Sequence, residues 1–170
     1  MMDASVVSPV TALLQRENIA YGVIEIPLTE DKKPVRNLEE LLVKQGIDPQ
    51  SVVRSVLFKT SSDKFVLLAV AGGGRADWAL LRQHLNERKC RMAEFDEVPQ
   101  ATGYVVGAVP PVALPESIKV LVDLSVKNYE TVVIGSGVLG FALSLKGADL
   151  IKLFGNADQG LFVSDGAAKA

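Results

Sequence analysis

The chain has 170 residues, which is the length of one ordinary domain. Hydrophobic residues make up 48% of it and charged residues 22%, and these proportions exclude a disordered chain. A formal net charge of −2 argues against a protein that grips DNA or RNA through bulk positive charge. The single cysteine, Cys90, excludes an intrachain disulfide and favours a reducing compartment.

The N-terminal residues show no basic segment followed by a long apolar run, so we expect no signal peptide. No uninterrupted run approaches the roughly 18 apolar residues that a membrane-spanning helix needs. These features predict a cytoplasmic protein without a membrane partner.

The first quarter of the chain predicts two helices separated by a strand. Ser8 followed by Pro9 is a favourable helix start, because serine caps free N–H groups and proline suits the first turn. β-Forming residues over 21–26 predict a short strand, and charged residues over 29–36 predict a loop. Asn37 is then in position to cap the second helix.

The middle of the chain predicts a hairpin followed by two helices. Apolar runs over 52–60 and 64–71 predict two strands, joined by a turn over 61–63. Asp77 is in position to cap a third helix. A short fourth helix is predicted within 94–102.

The last third predicts more strands and a closing helix. Strands are expected over 119–123, 131–135 and 141–145, and a helix over 148–154. Residues from 156 onward predict a tail or a short strand over 161–163. Because the elements show no regular βαβ repetition, they predict an α/β or α+β domain with a mixed sheet.

Residues 135–140 spell G-S-G-V-L-G, which is a literal dinucleotide-binding pattern after an apolar strand. Only 30 residues follow Gly140, however, and no suitably placed acidic residue lies about 20 positions further on. We therefore interpret the motif as a glycine turn between two strands, with the lining of a small-molecule pocket as a further reading. No cofactor is expected.

A second glycine motif carries a family resemblance. Gly103, Gly107 and Pro111 form the pattern G-x-x-x-G-x-x-x-P, which resembles the signature of the YbaK-like, prolyl-tRNA-synthetase-associated editing domains. The similarity continues in order through 46–58 on one side and through 120–123, 134–140 and 149–150 on the other. It covers about residues 8–154.

The resemblance implies both a fold and an activity. The implied fold is one domain over residues 1–170, with a mixed, partly closed sheet of six or seven strands flanked by helices and a tail over 155–170. The implied activity is hydrolysis of mischarged aminoacyl-tRNA, mainly Ala- or Cys-charged proline tRNA. A tRNA acceptor end would be held transiently, an aminoacyl-tRNA synthetase is a further expected partner, and neither DNA nor a metal is expected.

The resemblance also implies a site. Gly103, Gly107 and Pro111 would narrow the substrate pocket. Gly135, Ser136 and Gly137 would face them from the opposite side. The position that matches the family's key lysine is Arg54.

Arg54 is thus the expected catalytic residue and also the main departure from the family pattern. Alternation along the strand predicts that it shares an inward face with Val56 and Phe58. An arginine donates hydrogen bonds to a carbonyl or phosphate but does not act as a base. Alternatives are that Lys59 takes the role, or that Arg54 forms an ion pair with Asp123.

Two functions therefore stay open. The first is an aminoacyl-tRNA deacylase that edits in trans. The second is a catalytically inactive editing-like domain that binds a small molecule or a tRNA end. The span from Arg54 to Arg91 holds eight basic and three acidic residues, a net +5, and it lies beside the expected pocket. Such a segment would steer phosphates weakly.

Overall fold

The computed structural model of the chain describes residues 6–26, 38–72 and 74–164. Within them it has five α-helices, namely α1 (Pro9–Arg16), α2 (Leu38–Lys44), α3 (Trp78–Leu85), α4 (Glu97–Thr102) and α5 (Gly147–Phe154). None of these helices combines the length and apolarity that crossing a bilayer requires. The expected cap at Asn37 and the loop over 29–36 lie outside the described residues.

Ten strands are present in the same described ranges. They are β1 (Tyr21–Glu25), β2 (Arg54–Thr60), β3 (Phe65–Val70), β4 (Arg75–Ala76), β5 (Cys90–Met92), β6 (Lys119–Asp123), β7 (Thr131–Gly135), β8 (Phe141–Lys146), β9 (Asp158–Gly160) and β10 (Val163–Ser164). The predicted hairpin of β2 and β3 is confirmed, with Lys59 opposite Phe65 beside the turn.

The strands fall into three sheets. The largest has the order β5-β2-β3-β6-β9, the second β1-β8-β7 and the third β10-β4. Pairing is parallel for β3 with β6 and for β6 with β9, and antiparallel elsewhere in the sheets. A single parallel bridge between Val52 and Val133 joins the two larger sheets. The predicted mixed α+β class is confirmed. The expected single, partly closed sheet of six or seven strands is not what the described residues form, since their strands divide into sheets of five, three and two and none of these closes on itself.

Two layers of helix cover the sheets. Helices α1 and α5 pack against both larger sheets through a buried cluster that includes Leu14, Val122, Leu143 and Leu150. Helix α3 covers the opposite face of the five-stranded sheet, where Leu81 is buried against Phe58 and Leu68 among others. Burial of each such side chain contributes about 1.5–3 kcal/mol.

Local capping sets where α1 and α3 begin, as the sequence predicts. The Ser8 hydroxyl accepts a hydrogen bond from the Thr11 N–H at 3.2 Å. The Asp77 carboxylate accepts hydrogen bonds from the N–H groups of Ala79 at 3.1 Å and Leu80 at 3.2 Å. Each cap satisfies donors that the first helical turn otherwise leaves free.

The expected tail from residue 155 is wrong for residues up to 164. β9 extends the five-stranded sheet beside β6, and β10 pairs with β4. The alternative of a short strand over 161–163 is nearer to the structure, although the two strands lie on either side of Leu161 and Phe162. Residues 165–170 lie outside the described residues.

Asp123 ties this C-terminal segment to the sheet. Its fully buried carboxylate accepts hydrogen bonds from the Phe162 N–H at 2.8 Å and the Ser125 N–H at 2.9 Å. The predicted alternative of an ion pair between Arg54 and Asp123 is therefore wrong, because both carboxylate oxygens serve backbone amides.

Replacing Asp123 by alanine should destabilise the fold strongly. The buried N–H of Phe162 and the partly buried N–H of Ser125 would lose their acceptor, and the free energy of unfolding should fall by about 3 kcal/mol, measured by urea denaturation. The exposed Glu116→Ala variant is the control and should change it by less than about 0.5 kcal/mol. A loss in Asp123→Ala no larger than in this control would contradict the assignment.

Candidate active site

A cavity of about 520 Å³ lies where the two larger sheets meet. Its walls come from β2, β7 and β8, from the residues after β5, from α4, and from the loop that carries Gly107. Among its described lining residues only Arg54 and Ser55 have polar or charged side chains. The cavity is thus an apolar pocket with one cation and one hydroxyl.

Strand β2 presents a different face to this cavity from the one predicted. Ser55 and Leu57 line the cavity, whereas Val56 and Phe58 belong to the cluster under α3. The prediction that Arg54 shares an inward face with Val56 and Phe58 is wrong in this respect. Arg54 lines the cavity from the first residue of the strand and is exposed.

The guanidinium of Arg54 contacts the backbone. Its Nη2 donates a hydrogen bond to the carbonyl of Gly74. Lys59, the alternative cation, does not line the cavity, since its ammonium lies 3.6 Å from Asp63 and 3.8 Å from Glu97. Of the two cations considered from the sequence, the structure brings only Arg54 to the cavity.

The predicted glycine positions divide into two groups. Gly107 and Gly135 line the cavity. The other four predicted binding residues do not line it: Gly103 is exposed at the end of α4, Pro111 is buried on another side, and Ser136 and Gly137 lie in the turn after β7.

The two glycine segments nevertheless face each other, as the sequence predicts. A Cβ at Gly135 would lie 2.5 Å from the Val109 carbonyl oxygen, so only glycine permits this approach. The Gly137 N–H donates to the Ala108 carbonyl at 2.9 Å. The loop before β6 and the end of β7 are therefore locked backbone to backbone.

Ser136 supports the turn from inside. Its fully buried hydroxyl lies 2.8 Å from the Phe141 carbonyl and accepts a hydrogen bond from the Val138 N–H at 3.0 Å. The residue after Gly140 begins β8, which runs antiparallel to β7. The interpretation of the G-x-G-x-x-G motif as a turn between two strands is confirmed.

Ser55 is a site residue that the sequence reasoning missed. Its Oγ is buried and has no hydrogen-bond partner among the described residues, although it borders the cavity. A buried hydroxyl without a partner is costly, so such a group commonly marks a ligand or water position. Alternation along β2 places Ser55 on the same face as Leu57, but this indicates a site only once Leu57 is known to line the cavity.

A second set of charges lies beside the cavity wall. Arg91 binds Glu97 through two hydrogen bonds of 2.8 and 3.0 Å, and the Glu94 N–H donates to the same carboxylate at 2.8 Å. The hydrogen bonds from Arg91 have the largest effect, and together these contacts lower the pKa of Glu97 to about 2, against 4.5 for an unperturbed glutamate. Glu97 begins α4, which supplies Val98 to the cavity.

Two further chemistries have little support in the described residues. Burial raises the pKa of the Cys90 thiol, which opposes formation of a reactive thiolate. Within residues 6–26, 38–72 and 74–164, no three His, Cys, Asp or Glu side chains are grouped so as to hold a metal ion.

The fold and the cavity together define a small α+β domain with an open, largely apolar site. Residues 32–153 match the aminoacyl-tRNA editing domain family. This match spans well over half of the sequence, and the chain belongs to that family. The resemblance found in the glycine motifs is thereby confirmed.

Individual relatives agree with this assignment. The proline–tRNA ligase of Kosmotoga olearia is 26% identical over 126 residues, which are 74% of this chain and 20% of the ligase. The uncharacterized protein YwhH of Bacillus subtilis is 28% identical over 126 residues, which are 74% of this chain and 80% of YwhH. The chain spans about a fifth of the length of the ligases that it matches.

Similarity among solved structures extends the fold assignment to nearly the whole chain. The crystal structure of a candidate trans-editing enzyme for prolyl-tRNA synthetase superimposes with a TM-score of 0.72 at 22% identity. The superposition covers 95% of this chain and 100% of the other. At this identity the likeness establishes a common fold.

Low pH should weaken the ion pair between Glu97 and Arg91, which holds α4 against β5. Because the pKa of Glu97 is lowered in the folded state, its ion pair stabilises the fold above pH 4.5, and this contribution is lost as the pH falls toward 2. The urea midpoint of wild type should exceed that of Glu97→Gln at pH 7, and the gap should shrink below pH 4.5. The exposed Glu116→Gln is the control, and a gap that is constant down to pH 3 would contradict the assignment.

Proposed function

We propose that the chain is an aminoacyl-tRNA deacylase that hydrolyses the ester of mischarged tRNA in trans. The expected substrates are Ala- or Cys-charged proline tRNA, or a related mischarged pair. The observation that carries this proposal is the apolar cavity of about 520 Å³, with Arg54 and Ser55 as its polar side chains, in a chain of the editing family. A separate synthetase would charge the tRNA, and this chain would then hydrolyse the ester in the cytoplasm.

The composition of the cavity suits a small aminoacyl group. Lining side chains such as Leu57, Val98 and Ile134 are aliphatic, so they favour a methyl or thiol group over a charged one. Gly107 and Gly135 contribute no side chain to the wall between Val106, Val109 and Ile134, so the cavity is wider at these two positions. Because Gly135 contacts the Val109 carbonyl, this wall is rigid, and we infer that selection among amino acids is steric.

Hydrolysis needs donors for the ester carbonyl as negative charge develops on its oxygen. The Arg54 guanidinium and the Ser55 hydroxyl are the two side chains in the cavity that can donate to it. For Arg54 this requires reorientation of the guanidinium away from Gly74, or use of the donors that Gly74 does not occupy. Ser55 is already buried at the wall and lacks a partner in the described part of the chain.

The attacking water must also lose a proton. No carboxylate or imidazole is found among the described lining residues, and arginine keeps its proton. We therefore assign the proton transfer to the substrate itself: its neutral α-amino group takes the proton from water, or its free ribose hydroxyl relays that proton to the departing ribose oxygen. Water then forms the new acyl carbon–oxygen bond, the ester carbon–oxygen bond breaks, and the ribose oxygen leaves with a proton.

A second candidate function is an inactive editing-like domain that binds a small molecule or a tRNA end. The observation that favours it is Arg54 itself, which stands where the family resemblance implies a lysine. Its guanidinium is already engaged by the Gly74 carbonyl. An arginine held in this way would contribute binding without turnover.

Deacylation of a panel of Ala-, Cys- and Ser-charged tRNAs tests the deacylase directly. We expect release of the amino acid from at least one small-side-chain ester, with Pro-charged proline tRNA left intact. A family member that clears the same panel serves as the positive control. Intact esters throughout, under conditions where this control acts, would reject the enzyme.

Arg54 distinguishes the two functions. In a deacylase, Arg54→Ala should lower kcat by about 10²- to 10³-fold, because one donor to the developing oxyanion is lost. Arg16→Ala, in an exposed arginine of α1, is the matched control and should retain full activity. Activity that is absent in wild type but present in Arg54→Lys would instead identify an inactivated editing fold, and a thermal shift with small ligands would then be the functional readout.

Ser55→Ala should separate catalysis from stability. Removing a buried hydroxyl without a partner should leave the free energy of unfolding unchanged or raise it by about 1 kcal/mol. Deacylation should nevertheless fall on the order of 10²-fold in kcat. Ser117→Ala, at an exposed position outside the cavity, is the control. Wild-type kcat in Ser55→Ala would remove the hydroxyl from the mechanism.

A further inference from the structure

A groove of about 490 Å³ lies at the edge of the five-stranded sheet, next to β5. Its described lining contains no carboxylate and five cations, which are Lys59, Arg82, Arg88, Lys89 and Arg91. The overall charge of −2 conceals this local concentration of positive charge. Clustered cations of this kind attract polyanions.

Three of these cations are not engaged by carboxylates. Lys59 and Arg91 share Glu97, as described above. Arg82, Arg88 and Lys89 have no carboxylate oxygen within 4 Å in the described ranges. Their charge is available to a ligand.

The turn that presents Arg88 and Lys89 is held in place. The Ser61 hydroxyl accepts hydrogen bonds from the backbone N–H groups of Arg88 at 3.2 Å and Lys89 at 3.4 Å. The same hydroxyl donates to Glu87 at 2.7 Å, and Ser62 also donates to that carboxylate, at 3.0 Å. The acidic residue of the turn is therefore occupied by serines, while both basic side chains are exposed.

Strand β5 runs directly from this groove to the apolar cavity. Cys90 and Arg91 line the groove, whereas Met92 and Ala93 line the cavity. At about 3.3 Å per residue, the path from Cys90 to Ala93 is about 10 Å long. A few unpaired nucleotides can bridge this distance.

At the end of this path two apolar side chains that line the cavity are exposed, and the exposed carboxylates of Glu94 and Asp96 flank one of them, Phe95. Phe95 is 76% exposed and Met92 53% exposed, and both line the cavity. An exposed aromatic ring beside a cationic track is the arrangement that binds single-stranded nucleic acid, because bases stack on the ring while phosphates meet the cations.

We propose that β5 is the track for the unpaired 3′ end of an RNA. Phosphates would bind Arg82, Arg88 and Lys89, and a base near the 3′ terminus would stack on Phe95 at the cavity mouth. This inference rests on the proposed function for the identity of the RNA, since it explains how the charged end of a tRNA reaches the cavity. The groove would contact only the sugar–phosphate backbone of the RNA, so we expect it to bind without preference for a nucleotide sequence.

Binding of an uncharged RNA hairpin with an unpaired 3′ end tests the track without turnover. Fluorescence anisotropy should show the Kd of Arg88→Glu/Lys89→Glu rising at least tenfold at low salt. For this double variant, the negative slope of log K against log salt should also be shallower than that of wild type by roughly 1.4, as expected for two lost phosphate contacts. Lys127→Glu/Lys152→Glu, at exposed positions elsewhere, carries the same change of charge and should bind as wild type.

Phe95 supplies an independent readout. Phe95→Ala should weaken binding about tenfold, and Phe95→Trp should restore it. Neither variant should change the Kd for a blunt hairpin that lacks the unpaired 3′ end. Equal loss in the two charge-reversal variants, a Phe95 effect on the blunt hairpin, or no RNA binding by wild type would overturn the track. Displacement of the RNA by an acidic peptide at equal charge concentration would also overturn it and indicate a protein partner.

Failure of the track and failure of the deacylase are separable. If the deacylase holds and the track is correct, Arg88→Glu/Lys89→Glu should raise KM for charged tRNA. It should leave hydrolysis of a small aminoacyl-adenosine ester unchanged. RNA binding that follows the predicted pattern without any ester hydrolysis would reject the deacylase and retain the track.

Discussion

The candidate site depends on the backbone contact between the end of β7 and the loop that precedes β6. At Gly135 these two segments approach so closely that an added methyl group would lie 2.5 Å from the Val109 carbonyl oxygen. The hydrogen bond from Gly137 to Ala108 fixes the same junction one step further along. Both segments contribute to the walls of the cavity, so this contact fixes one side of it and leaves that side little room to adjust to a larger ligand.

The cavity combines this rigid wall with very few polar side chains. Arg54 and Ser55 are its polar side chains among the described residues, and one of them already contacts the backbone. An apolar enclosure strengthens any hydrogen bond made inside it, because the local dielectric constant is low. Few donors are then sufficient, provided that the substrate supplies its own proton acceptor.

Sequence alone predicted those parts of the fold that depend on local interactions. The caps at Ser8 and Asp77 and the turn at the G-x-G-x-x-G motif were readable because each involves neighbouring residues. β9 was missed because it has three residues and exists through pairing with β6, nearly 40 positions earlier. The inward face of β2 was misassigned because both of its faces carry apolar side chains that pack into clusters, Leu57 on one face and Val56 and Phe58 on the other, so alternation alone does not tell which face lines the cavity. For the site, the resemblance supplied Gly107 and Gly135, while Ser55 could be found only once Leu57 was known to face the cavity.

The strand that follows α5 also protects an edge of the five-stranded sheet. Leu121, Val122 and Asp123 of β6 are fully buried in the finished domain, and β9 is the element that covers that side of the sheet. Without residues 158–160, β6 would be the edge strand of this sheet, with unpaired backbone groups. Such an edge invites pairing with other chains. β9 replaces this edge with one of only three residues, which offers other chains less backbone to pair with.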